Sequence, residues 1–458
     1  MKTIVKISRY ILFLALTLLL QNCKSYEQPA VTESIAVESL ESKIEIPEFW
    51  ETSSDTIEVK EDWYKEFNDP KLDSLVLEAI DTSNLSIIYQ LALIEQSNAQ
   101  RDLAQSNKKV KIGYGGDYSG YSATGSANSY DFSTTGGISW EADLWGKIET
   151  KILAADENLK ASIYNYSYTR QSIAATTSKL YFQIGTLNQS LQLGNDFIKV
   201  NDHIKDLLKI REEVGIIDLK ELFLIKAQIS SINNLIENYK NEIQKNTRKL
   251  EVVLGRYPEN KLIVDWNTVS LNPVTEIGNP FELINRRPDI KRNESIVRSQ
   301  FYLTEQAKLL KYPNLVLSAN MGFSTVSDLI FGTAGSFFGP IYSGGALDSQ
   351  IESASAEQKK ALMTYGISIL NAFNEVETSL NSESYLLEQQ KHINNSVVES
   401  KNAYQLMLKQ YAVGRVGLFE VLQTQMEWLF RELDLIKING NIYQQRVDLY
   451  LALGGNIN

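Results

Sequence analysis

Glu221 and Glu420 each stand six residues past a glycine, Gly215 and Gly414, and each opens a stretch with helical spacing. Arg415 follows the second glycine directly, and Gln423 lies nine past it. Such acids offer one kind of chemistry, electrostatic selection. Carboxylates gathered at a constriction favour cations, repel anions and raise some of one another's pKa values. A single acid on a helix is otherwise a solvated face. Little else in the chain can react. His203 and His392 are the only histidines and Cys23 the only cysteine. That leaves almost no room for a zinc centre of Cys and His and none for a disulfide within the chain. No glycine loop of the phosphate-cradling kind is present, and two histidines leave little for nucleophilic catalysis. Five methionines in no cluster give no support for copper or silver handling. The chain reads as no enzyme, with no metal and no cofactor. Lys and Arg number 45 against 56 Asp and Glu, a net charge of −11. That balance argues against nucleic acid, because phosphate neutralisation needs a basic surface.

The elements that would position these acids are long helices. Only 9 prolines and 25 glycines punctuate 458 residues. Leu222, Ile225, Ile229, Ile232, Ile236, Tyr239 and Ile243 step by three and four alternately. So do Phe419, Leu422, Met426, Leu429, Leu433, Ile436, Gly440, Tyr443, Val447 and Tyr450. That is heptad spacing, as in a coiled coil. Helical spacing also runs from Lys147 to Val214 and from Leu347 to Val413, on the other side of each glycine turn. A helix of roughly forty residues is about 60 Å long. Two such hairpins cannot bury themselves in a globule, so they read as antiparallel coiled-coil hairpins packing against copies in other chains. A spectrin-like bundle or filament is the competing reading.

Against that bundle stands a strand pair inserted at the same place in each half. The chain divides near Tyr257-Pro258, and each half shows one order of events. A helix comes first, Leu72 to about Lys111 and then Phe281 to about Lys311. Two strand-like runs follow, then a long helical stretch broken once. In 112–120, 130–140 and 315–324 apolar and polar residues alternate at period two. The fourth run, Thr333 to Tyr342, alternates less cleanly. Aromatics near the ends suit a membrane barrel, while a half-buried soluble sheet shows the same alternation. Four strands are too few to close a barrel, since about eight are needed. If they span a membrane, several chains must share one, and three chains would give twelve strands.

The first residues read as a targeting signal. Lys2, Lys6 and Arg9 precede an apolar run, Ile11 to Leu20, too short to span a bilayer. The run ends in Leu20-Gln21-Asn22-Cys23, which resembles a bacterial lipoprotein cleavage site with Asn22 where a small residue is usual. Residues 1–22 are then a signal peptide, Cys23 carries a covalent lipid, and 23–62, acidic and poor in helix pattern, is a tether. No later stretch is long enough for a transmembrane helix, so any membrane-spanning part must be a β-barrel.

Six motifs in order carry a family resemblance. They are Trp63, Phe67, Asp69-Pro70, Leu72 and Leu75; 140–147 (Trp-Glu-Ala-Asp-Leu-Trp-Gly-Lys); and 286–290 (Arg-Arg-Pro-Asp-Ile). The others are 339–345 (Gly-Pro-Ile-Tyr-Ser-Gly-Gly), the turn 411–425 and 451–455 (Leu-Ala-Leu-Gly-Gly). Together they resemble the outer membrane factor family, the TolC-like efflux channels, in its NodT-like lipoprotein branch. The departure is Ser343, where the family has an acid. The resemblance implies two repeats, 63–257 with strands at about 112–140 and a tip turn at about 214–221, and 258–458 with strands at about 313–342 and a tip turn at about 413–420. It implies a mainly α homotrimer, its hairpins forming an α-barrel in the periplasm and its strands a twelve-stranded barrel in outer-membrane lipid. Such channels are the passive exit ducts of tripartite efflux machines, joined through an adaptor to an inner-membrane pump that chooses the cargo. The adaptor would dock on Gly215, Ile216, Ile217, Gly414, Val416, Gly417 and Leu418, unless these only pack against the neighbouring hairpin. Glu420 falls where some members carry a gating aspartate, and Gln423 where an aspartate is common. Glu420, Gln423, Arg415 and Glu221 are the gate candidates. A type I secretion duct shares this pattern, and a lipid-anchored periplasmic scaffold without a pore is the alternative from another class.

Overall fold

The computed structural model describes residues 50, 62–121, 129–213, 218–266, 271, 280–325 and 328–455. The signal peptide, Cys23, the tether apart from Trp50 and Asp62, and Gly215, Ile216 and Ile217 lie outside the described residues.

A single turn of 3-10 helix, Trp63–Phe67, leads into α1, Pro70–Ala79, and α2, Leu85–Ser106. Strands β1, Lys111–Tyr121, and β2, Ser129–Ala142, precede α3, Lys147–Glu213, and α4, Leu219–Val253. The second half repeats the order: α5, Pro280–Arg286; α6, Pro288–Leu309; β3, Asn314–Ser324; β4, Asp328–Phe338; α7, Ala346–Ala412; and α8, Leu418–Ala452. The longer equivalent helices match in length. The pairs α2 and α6 have 22 residues each, α3 and α7 have 67, and α4 and α8 have 35.

Each half's expected opening helix is in fact two. Asp69 caps α1, its carboxylate accepting from the Lys71 and Leu72 amides, with Pro70 in the first turn. The Asp81 and Asn84 side chains then accept from the Ser83 and Ser86 amides. These local bonds compete with the helix and break it before α2. In the second half Pro288 disfavours helical geometry at Arg287 and divides α5 from α6. The fourth strand also differs from expectation. It starts five residues earlier and ends at Phe338, because Gly339-Pro340 follows and proline has no amide for the ladder.

The chain forms two compact units. One gathers Glu95–Ala161 and Asn293–Gly366 around an antiparallel sheet of order β1-β2-β3-β4. Its register runs Tyr118↔Phe132, Trp140↔Leu317 and Met321↔Phe331. Directly paired residues share a face, so the apolar sets of all four strands form one continuous surface. The other face carries Asp117, Ser133, Ser318 and Ser336, and glycine recurs in every strand, as at Gly115, Gly136, Gly322 and Gly332.

The second unit holds the remaining described residues. Its core is aromatic: Trp63, Phe67, Phe182, Trp266 and Tyr443 are buried together, with Phe182 4.9 Å from both Phe67 and Tyr443. The Tyr181 hydroxyl donates to Asp69 at 2.6 Å, tying the α1 cap to α3. Arg287 is buried, paired with Asp289 at 2.8 Å and Glu375 at 2.6 Å, and donates to the Ala452 carbonyl at 3.0 Å. It braces the start of the second half against α7 and the end of α8. Further along α3, α4 and α8 lie two smaller apolar clusters. One holds Phe197, Ile232, Ile236, Leu429 and Leu433; the other holds Leu208, Leu222, Ile225, Leu418 and Leu422.

Candidate functional site

The second glycine turn sits where α7 gives way to α8. Helix α7 ends at Ala412, and Gly414 adopts a φ of 72°. There the Arg415 amide donates back to the Gln410 carbonyl at 2.9 Å, closing the helix in the way a left-handed glycine permits. Gly417 caps α8. In the other hairpin Asp218 caps α4 by accepting from the Lys220 amide.

The structure separates the gate candidates. Glu420 is exposed in the first turn of α8, and its carboxylate folds back to 3.0 Å from the point where a Gly417 Cβ would stand. An acid there is favoured by the helix dipole. Gln423 is exposed. Arg415 is exposed and makes no ion pair among the described residues. Glu221 is half-buried and accepts a 2.7 Å hydrogen bond from the Tyr411 hydroxyl. Burial raises the Tyr411 pKa to about 12; the Glu221 carboxylate adds to the rise and Arg211 opposes it. This contact ties α4 of the first hairpin to α7 of the second. Sequence reasoning met Tyr411 only inside a motif. Its signal was position, three residues before the turn glycine, where a side chain on the last helical turn meets the neighbouring hairpin.

The docking candidates divide as well. Leu418 is 2% exposed, packed in the cluster with Leu208 and Leu222. For this residue packing replaces the exposed contact. Val416 is half-buried and Gly417 exposed. Phe419, counted in the heptad core by its spacing, is 56% exposed instead. The core seam of α8 passes through Leu418, Val421 and Leu422. Phe419 joins Val413, Leu219 and Phe223 as exposed apolar residues near the turns.

The sheet presents the second feature. Tyr114, Phe132, Met321 and Phe331 are at least half exposed, all on its apolar face. An apolar surface of this extent is not left to water. Aromatics cluster at both ends of the strands. Tyr118 stacks on Tyr130 at 6.2 Å near one end. Near the other, Trp145 packs 5.2 Å from Tyr312 and donates to the Pro313 carbonyl, while Trp140 donates to the Lys108 carbonyl. Amphipathic rings in two belts are what a bilayer's two interfaces select. Among the described residues no helix is long and apolar enough to cross a membrane.

Comparison with known proteins agrees with the two-half order of elements. The family model for outer membrane efflux proteins matches residues 78–256 and 280–455, on either side of the midpoint. The pyoverdine export outer membrane protein OpmQ of Pseudomonas aeruginosa is 26% identical over 442 residues, covering 91% of this chain and 92% of that one. The multidrug resistance outer membrane protein MdtP of Escherichia coli is 22% identical, with 86% of each chain covered. Among solved structures, the Campylobacter jejuni CmeC outer membrane channel matches with a TM-score of 0.79 at 22% identity, over 88% of this chain and 89% of that one. The fold is shared.

Proposed function

The chain belongs to the outer membrane efflux protein family, whose members are channels rather than enzymes, and from that premise we propose that three copies build one exit duct of a tripartite efflux machine. The observation carrying this reading is the four-stranded sheet with one continuous apolar face and two unpaired edges, β1 and β4. In lipid every backbone donor and acceptor must find a partner, so an open edge cannot stay bare. Pairing β1 of one copy with β4 of the next satisfies both edges, and three copies supply twelve strands. The apolar face then meets lipid, and the face with Asp117 and Ser318 lines water. A wide, water-lined barrel conducts without chemistry.

The helical hairpins continue the duct into the periplasm, where a periplasmic adaptor and an inner-membrane pump complete the machine. The exposed apolar set Val413, Phe419, Leu219 and Phe223, with Val416 and Gly417, supports adaptor docking at the turns, to which Gly215, Ile216 and Ile217 are assigned by their place in the sequence. Glu420 and Glu221 are the acids of the entrance, with Gln423 and Arg415 beside the former. A lipid on Cys23 gives a second attachment, since one acyl chain alone holds a protein only modestly. OpmQ is named for pyoverdine and MdtP for multidrug resistance. That contrast supports a duct that carries small molecules chosen upstream.

The test is the mass and electron microscopy of the detergent-purified mature protein, with planar-bilayer conductance. A three-chain particle with a detergent belt and stable conductance is expected. A monomer without a belt would overturn the shared barrel and favour the poreless scaffold.

A further inference from the structure

The two smaller apolar clusters of the second unit are distinct, and between them four helices each carry a buried or half-buried polar side chain, beside the half-buried Ile229 and Met426. On α8, Leu422 belongs to the end cluster and Leu429 to the inner one, with Gln425 between, fully buried. On α4, Ile225 and Ile232 are the corresponding pair, with Gln228 between. On α3, Asn201 lies between Phe197 and Leu208, also fully buried. On α7, Tyr404 is buried. The Gln228 amide donates to the Gln425 side-chain oxygen at 3.1 Å and to the Leu422 carbonyl at 3.3 Å. The Gln425 amide in turn lies 3.4 Å from the Tyr404 hydroxyl. The Asn201 amide donates only to its own helix, at the Phe197 carbonyl, and its Oδ1 has no partner.

We propose that this buried polar layer is a joint: it divides the helical hairpins into two separately stable segments, so that the end segment bearing the turns loosens and re-forms while the segment above it stays packed. An all-apolar seam would weld the two clusters into one cooperative core. The polar layer does the reverse, because its hydrogen bonds are long and can be exchanged for bonds to water on opening. The unpaired Asn201 oxygen is desolvated in the closed state and gains a partner in the open one. Beyond the joint the end segment is held by a small cluster of five buried apolar side chains, with Ile204, Leu224, Ile229 and Tyr411 packed against it, and by the Tyr411–Glu221 hydrogen bond. Buried polar groups in a coiled-coil seam also fix register. The Gln228–Gln425 contact therefore brings the end segment back to one alignment each time it closes. That this segment is the entrance of a duct rests on the channel reading; that it loosens by itself does not.

Hydrogen exchange on the assembled protein in detergent tests the joint. The amides of residues 204–213, 218–224 and 405–424 are expected to open as one group, separate from and faster than those of 186–198, 232–245 and 429–447. Replacing the layer's central polar pair, Gln425→Leu with Tyr404→Phe, is expected to slow exchange of the end group by about tenfold or more as its opening merges with the inner group's. Exchange of both groups at one common rate in the unaltered protein would overturn the proposal, whether or not the variant assembles. So would a well-assembled variant whose end group exchanges as before. Planar-bilayer recording of the same variant reads the channel separately: fewer full openings are expected. Slowed exchange with unaltered openings would leave the joint standing and remove its link to the entrance.

Discussion

At the scale of single residues, the contact between Tyr411 and Glu221 is a polar bond that joins the two hairpins near their turns, beside the apolar cluster of Leu208, Leu222, Ile225, Leu418 and Leu422. Burial first, and then the Glu221 carboxylate to which the phenol donates, favour the protonated form and raise its pKa to about 12 from an ordinary 10.0. The folded value lies above the unfolded one. The contact's contribution is therefore complete below pH 10.0 and is lost as pH rises through about 12. Burial also raises Tyr181, Tyr404 and Tyr450, so ultraviolet titration of phenolate absorbance is expected to show a late-titrating group of tyrosines that Tyr411→Phe reduces by one. At neutral pH the same variant frees α4 from α7, and single-channel recording should show more frequent opening. Unchanged gating would mean the bond is incidental. Glu420 makes the opposite kind of prediction. In the proposed trimer it would stand as a ring of three exposed carboxylates favouring cations, so Glu420→Gln is expected to lower cation selectivity measured from reversal potentials. Unchanged selectivity would remove it from the entrance. Glu420 and Glu221 were both legible as acids after a glycine, but their different fates were not. Spacing from a glycine fixes the place along a helix. It does not say that a tyrosine 190 residues away closes on one of them.

At the scale of elements, the heptads of α4 and α8 and the strand alternation were legible because each is a periodic demand of burial on one face. Breaks were less legible. Asp81 and Asn84 end a helix by side-chain bonds that no periodicity shows, and the fourth strand was misplaced because its polar and apolar sets do not alternate strictly. The seam of α8 was one position off at Phe419, since residues near a helix start are not held to the register below. One heptad position is telling. Gly440 lets α8 approach α3 so closely that a Cβ there would fall 2.1 Å from Thr186 Oγ1, which is held by its 2.8 Å bond to the Phe182 carbonyl. Gly440→Ala is thus expected to cost about 1–3 kcal/mol by overpacking, read as a lower thermal midpoint of the assembled protein. A midpoint at or above the original would show that the helices can part freely. The strands predict an asymmetry between faces. Phe331→Lys, on the apolar face, is expected to cost about 2–4 kcal/mol near the middle of a bilayer and reduce the amount of heat-resistant assembly in outer membranes. Ser318→Lys, on the polar face, should leave that amount unchanged. Equal loss from both would argue that neither face meets lipid.

For the whole molecule, the equal lengths of the longer helices in the two halves mean that neither half is a complete object. Each supplies one hairpin of strands and one of helices, and both edges of the resulting sheet remain open within one chain. The sequence carried this repeat in its order of events. It did not carry the register that merges four alternations into one surface, because register arises from pairing between segments almost 200 residues apart. That surface has a consequence for how the protein reaches its place. Before the sheet meets lipid, an apolar face and two bare edges would be an invitation to aggregate. The glycines scattered through all four strands weaken pairing in water, because a glycine gives up more freedom on being fixed and offers no side chain to pack. The strands are therefore poor at folding early and well suited to being carried unpaired. Only a bilayer, where every unmade hydrogen bond becomes expensive, forces them together. The same residues that make the barrel fragile as a soluble sheet let its parts travel safely to the membrane that completes it.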